Sequence, residues 1–222
     1  MTRAVRSEKG QAAPLYITAV VGLLFLALLF FAFGKADAAR NSTQSAADAA
    51  ALAAAQESRD QLRNGFLENI LDGDYLRDIL DGNQIGTYNG CQAAVRFAEL
   101  NDAELDPDKV SCAQLNDGRW GFTVNVVSKK SMGDTILPGT EKKHAKATAT
   151  AVVEPRCQFD PNEDDQATPS PDESDDPPGN GDDNKPSPGK IVCDGKDWPI
   201  DPKNLDLLPD MADLFTVRLA DN

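Results

Sequence analysis

The sequence predicts an α+β fold: an N-terminal transmembrane helix continuing into a long Ala-rich helix, then a small disulfide-stapled domain with an antiparallel sheet and a disordered acidic loop. Three observations carry this. Residues 11–34 are 24 consecutive uncharged positions; residues 46–55 hold eight alanines; and two segments between 119 and 154 alternate with period two, among cysteines at 91, 112, 157 and 193.

The apolar core of the first run, 15–33, is interrupted weakly by Thr18 and Gly22. As a helix it is roughly 28 Å long, close to the ~30 Å hydrocarbon core of a bilayer. Arg3, Arg6 and Lys9 precede it, whereas Asp37 partly balances Lys35 and Arg40 beyond it. The positive-inside bias therefore puts the N-terminus in the cytoplasm and the rest outside. A cleaved secretory signal is the competing interpretation, because Ala36-Asp37-Ala38 resembles a small-residue cleavage site. Against it, the apolar run exceeds the ~7–15 residues of a signal h-region.

Alanine is the strongest helix former, so the anchor helix is expected to continue through 46–55 to about Asn64, with Gly34 as a weak point where it could bend. Small side chains let backbones approach closely, which suits lateral packing against a neighbouring protein or against the chain's own domain. Beyond it, Phe66, Leu67, Ile70, Leu71, Leu76, Ile79 and Leu80 recur at mostly helical spacing, interrupted at Gly73 and ended at Asp81-Gly82. This is one broken helix or two short ones. A further short helix is expected from near Cys91 to Leu100.

In 119–129, Trp120, Phe122, Val124 and Val126 share one face of a strand. In 143–154, Lys143, Ala145, Ala147, Ala149, Ala151 and Val153 do the same, opposite His144, Lys146, Thr148, Thr150 and Val152. Residues 110–115 form a third candidate strand and 214–219 could return as an edge of the same antiparallel sheet. Residues 160–189 hold ten acidic residues against Lys185 alone, so −9 of the net −14 lies there. Without large aliphatic side chains nothing offsets the entropy of ordering, and a disordered surface loop is expected.

These features divide the chain into a cytoplasmic tail (1–14), a transmembrane helix (15–34), an Ala-rich helical stalk (35–64), an extracytoplasmic α+β domain (65–159), an acidic Pro-rich loop (160–189) and a C-terminal segment returning to the domain (190–222).

An even cysteine count outside the membrane points to disulfides. Three pairings are formally possible; Cys91–Cys112 and Cys157–Cys193 are favoured, the latter closing the neck of the acidic loop. Metal ligation is disfavoured, since no pair has C-x₂₋₄-C spacing and His144 is the only histidine, among Lys142, Lys143 and Lys146 on a solvated edge. The acidic loop lacks a calcium-loop spacing, and Asp72-Gly73-Asp74 and Asp81-Gly82-Asn83 read as turns. There is no nucleophile elbow and no phosphate-binding glycine loop, so neither catalysis nor a cofactor is expected. The acidic balance disfavours nucleic acid.

Gly10-Gln11-Ala12-Ala13 before the span, Arg40-Asn41 after it, and the string from Gln44 through Ala55 together resemble the N-terminal region of TadE/TadG-like proteins of the Flp (tight adherence) pilus-assembly system, over about residues 10–56. The resemblance implies a membrane-anchored, pilin-like accessory protein with membrane lipid and other pilus-assembly or pilin-like proteins as partners, the latter through the Ala-rich helix. Pseudopilin-type members are cut after a glycine followed five residues later by glutamate. Here that position is Leu15, which favours a retained tether over a processed filament subunit. No D-x-S-x-S string of a von Willebrand factor A metal site is present. The alternative is a membrane-tethered module binding cell-envelope material through Trp120 or Trp198.

Overall fold

The computed structural model describes residues 12–83, 88–131, 142–162 and 186–220. The tail through Gln11, and residues 163–185 of the acidic loop, lie outside them. Helix α1 spans Ala12–Glu68 and continues through Gly34. At 57 residues it is about 85 Å long. Its apolar stretch Pro14–Phe31 is not buried within the molecule, whereas from Thr43 onward one stripe is shielded from solvent: Ala46, Ala47, Ala50, Ala51, Ala54, Ala55, Ser58, Leu62 and Phe66. These positions recur at three and four residues, the spacing of a single helix face. The segment expected as a stalk over 35–64 is thus, from Thr43, the spine of the domain.

After α1 the chain turns at Asn69 to Asp72 and enters α2 (Gly73–Leu80), where Asp72 caps the helix by accepting from the backbone N–H of Asp74 and Tyr75. Gly73 thus opens a helix rather than only breaking one. Gly82, at φ +77°, ends it: its N–H donates to Ile79 O and that of Asn83 to Asp78 O, the paired bonds of a left-handed glycine cap. Helix α3 (Cys91–Leu100) begins against α1 so closely that a methyl on Gly90 would overlap the carbonyl of Ala54.

The main sheet is antiparallel. Its strands are β1 (Ala103–Leu105), β2 (Cys112–Gln114), β3 (Gly121–Ser131), β4 (His144–Pro155) and, after a second sheet, β8 (Phe215–Leu219). The order is β1-β3-β4-β8, with β2 also pairing β3. The C-terminal return is an edge strand, with Ala151 opposite Leu219 and Pro155 opposite Phe215. The inward faces are those given by alternation: Phe122, Val124 and Val126 on β3, and Ala145, Ala149, Ala151 and Val153 on β4, are buried. The other face is more polar, with Thr123 and Thr150 hydroxyls 2.9 Å apart and Thr148 donating to Asn125 Oδ1 at 2.6 Å. One covered and one partly wet face is the usual state of an antiparallel sheet.

Alanines of α1 thus face alanines of β4. Small side chains on both sides bring a helix close to a sheet, and the larger side chains gather where α1 ends, around Leu62, Phe66, Leu214 and Phe215. There Trp120 donates through Nε1 to Ser58 Oγ at 2.9 Å and packs edge-on to Phe215 at 5.7 Å. A hydroxyl on the helix face is explained by this indole, because each buried polar group satisfies the other.

The second sheet is β5 (Cys157–Pro161), β6 (Gly189–Cys193) and β7 (Lys196–Pro199), all antiparallel. Asp194 and Gly195 join β6 to β7 with φ of 49° and 80°, the two positive values of a two-residue hairpin turn that right-twisted strands favour. A 3-10 turn (Leu205–Leu207) and α4 (Met211–Leu214) lead back to β8.

Candidate functional site

The residues proposed for function from the sequence fall in two places, the anchor and the staples. In the anchor, Pro14–Phe31 has mean hydropathy 2.4 and none of it is buried within the molecule. It is long and apolar enough to cross a membrane. Thr18, its polar interruption, turns its hydroxyl back onto the carbonyls of Pro14 and Leu15 at 3.1 and 3.0 Å. That satisfies the hydroxyl inside the helix, as an apolar solvent requires.

The staples join Cys91 to Cys112 and Cys157 to Cys193. The first links the start of α3 to β2, with Cα atoms 5.9 Å apart; the second links residues directly opposite on β5 and β6, at 4.3 Å. Among the described residues no cysteine is free and no group of His, Cys, Asp and Glu gathers as a metal site.

The two tryptophans lie at different sheets and differ in exposure. Trp120 is 8 % exposed and packs in the core, bonded to Ser58 and edge-on to Phe215. Trp198 is half-buried on β7 under Lys196, whose Nζ lies 3.8 Å from the ring centroid. His144 is exposed at the start of β4, with Nδ1 2.7 Å from Ser128 O.

A more structured polar site lies where α1 leaves the apolar span and meets the sheet. Asp37, Arg40, Asn41 and Gln44 from the helix face Lys109, Lys146, Ala147 and Thr148 across an open cavity of about 440 Å³. Gln44 Nε2 bridges to Asp48 Oδ1 at 2.9 Å and to Thr148 O at 3.2 Å. Beside it Asp106 is 1 % exposed, with Lys146 Nζ 3.0 Å from its carboxylate and 2.8 Å from Asp108 Oδ2. Ser111 Oγ donates to Asp106 O, and Asp108 N to Asp106 Oδ1, so the loop between β1 and β2 is folded around the carboxylate.

Burial opposes charge on Asp106, but hydrogen bonds from Lys146 and the Asp108 N–H, with the fields of Lys146 and Lys109, hold its carboxyl below the usual range. Lys146 is correspondingly raised, chiefly by its bond to Asp108 and then by Asp106. The stabilisation from Asp106 is therefore present above the unfolded carboxyl value, about 3.9, and lost as pH falls through the lower folded value. Lys146→Met reverses this slope. With its main cation gone the buried carboxylate opposes folding at pH 7, and protonation relieves it, so the variant's melting temperature rises on acidification from pH 7 towards 5 while that of the parent does not. Equal slopes in both proteins would remove Lys146 from this account.

Sequence reasoning passed over this pair. Lys146 reads as one of several edge lysines around His144, and nothing local marks Asp106. Only β4 against the β1–β2 loop brings them together.

Residues 10–57 match the family described as Flp pilus-assembly TadE/G-like. The matched segment includes the apolar span and the alanine run, and ends one residue before Ser58. That N-terminal segment is TadE/G-like. No curated protein and no solved structure matches the chain.

Proposed function

We propose that this chain, TadE/G-like over residues 10–57, is a non-catalytic, single-pass membrane component of Flp-type pilus assembly or a related secretion system. The observation that carries the proposal is the continuity of α1, whose exposed apolar half and domain-packed half are one helix. A displacement of the anchor within an assembly would be transmitted to the domain without a hinge of loop residues between them. The flanking Arg3, Arg6 and Lys9 support a cytoplasmic N-terminus. Two disulfides suit an oxidising outer compartment.

Burial of the alanine face revises how partners are met. Ala46, Ala47, Ala50, Ala51, Ala54 and Ala55 are 0 % exposed because the chain's own domain covers them. One surface open to other assembly proteins is the apolar segment itself, with Leu24 60 % and Phe30 83 % exposed. Packing there would rest on van der Waals contact within lipid rather than on hydrophobic burial from water.

Deleting the gene tests the proposal. Surface pili, counted by electron microscopy, should be lost and restored by the full chain. A version whose span is replaced by a cleavable signal, releasing the folded domain, should not restore them. Normal piliation in the deletion strain would sink the proposal.

A further inference from the structure

α1 and β4 run side by side in the same direction. Gln44 on α1 meets Thr148 on β4 at 3.2 Å, and further along Ser58 meets Trp120, whose carbonyl accepts from Val153 N at 2.8 Å. Between those two levels the helix advances about 21 Å and the strand about 17 Å, so the two directions are nearly parallel. The start of β4 therefore points back along α1 towards the apolar span.

Heights follow from the same rises. From the Gln44 and Thr148 level, Phe31 at the end of the span lies about 20 Å back along the helix, and His144 about 13 Å back along the strand. The first residue of β4 thus ends about 7 Å from the level of Phe31, and the headgroup layer of one leaflet is roughly 5–7 Å deep.

Four lysines lie at that height, together with Asp37 and Asp102. Lys129 and Lys130 at the end of β3, and Lys142 and Lys143 before β4, are all exposed. Lys130 is held by Asp102 at 3.1 Å. Residues 129–146 carry five lysines against Asp134 and Glu141, in a chain of net charge −14. The exposed lysines thus lie on the side of the domain towards the span.

We infer that the rim formed by Lys129, Lys130, Lys142 and Lys143 is a lipid-contact surface for anionic headgroups, which sets the domain's height and tilt over its anchor. The inference rests on the membrane-anchor reading above. Ammonium groups near an anionic leaflet are attracted in a way that fades within a Debye length, which favours a pose with this rim against the headgroups.

The test uses the full chain in nanodiscs of phosphatidylcholine, alone or mixed with phosphatidylglycerol, with lysine acylation by a water-soluble amine reagent read by mass spectrometry. In the anionic discs Lys129, Lys142 and Lys143 should react about threefold or more slowly than in neutral discs, with Lys196 and Lys203 unchanged. Molar salt, which shortens the Debye length to about 3 Å, should abolish the difference. A Lys129→Gln/Lys142→Gln/Lys143→Gln variant should enter discs equally well while Lys130 loses its dependence on anionic lipid. Equal rim reactivity in both discs would overturn the lipid contact and leave the anchor standing. Protection that ignores both lipid charge and salt would also overturn it, pointing to cover by protein. A chain that fails to enter discs at all would overturn the anchor reading and this inference together.

Discussion

Leucine at Ala54 is expected to destabilise the domain by about 3 kcal/mol or more, the upper end of the usual cost of overpacking a core. Ala54 is 0 % exposed, with α3 starting against its carbonyl. A larger side chain there must push α1 away from the elements packed on it, and that separation loosens the neighbouring alanine contacts as well. Gly90→Ala attacks the same contact from the other side. Its added methyl would meet backbone rather than a side chain that could swing away, so a comparable loss is expected. Exposed Gln56→Ala should stay within about 0.5 kcal/mol of the parent. Denaturant unfolding of the detergent-solubilised chain, followed by the fluorescence of buried Trp120, measures all three. An Ala54→Leu protein as stable as the Gln56 variant would show that the helix does not sit on the sheet in this way.

Removing the second staple should cost about as much. The Cys157–Cys193 bridge closes a separation of 36 residues, for which the chain-entropy model gives about 4 kcal/mol. The first, at 21 residues, gives about 3 kcal/mol. Without Cys157–Cys193 the pairing of β5 with β6 must close that long loop from its own hydrogen bonds. The route back to β8, which completes the main sheet beside β4, then becomes less constrained. The Cys157→Ala/Cys193→Ala protein should unfold at clearly lower denaturant and expose β8 to proteolysis before β3. An unchanged midpoint would mean that the packing of Ile191, Ile200 and Leu214 suffices to hold the return.

Much of this architecture is written in local patterns. Alternation along 119–129 and 143–154 identifies β3, β4 and their inward faces, because a sheet with one covered face imposes period two on its side chains. The helix starting at Cys91 and the return of 214–219 to the sheet edge follow from equally short-range signals. The alanine run announces a helix, but a segment almost uniformly small has little directional preference, so it cannot say which side is buried or by what. The answer lies a hundred residues away, in the alanines of β4. The hairpin of β6 and β7 was within reach, since Asp194-Gly195 between Val192 and Trp198 is a strong two-residue turn signal. β1, at three residues, leaves no periodicity to read. The Asp106–Lys146 pair is tertiary by nature, joining residues 40 apart that only the sheet brings together.

The most direct test of the central claim, that α1 is at once the membrane anchor and the contact through which the chain joins an Flp-type assembly, is photo-crosslinking from Leu24 and Phe30 in the cells that make the protein. Adducts with membrane components of the pilus-assembly machinery are expected at one or both positions, and none from a crosslinker at buried Ala50. Adducts only with proteins unrelated to pilus assembly, or equal labelling from Ala50, would contradict it.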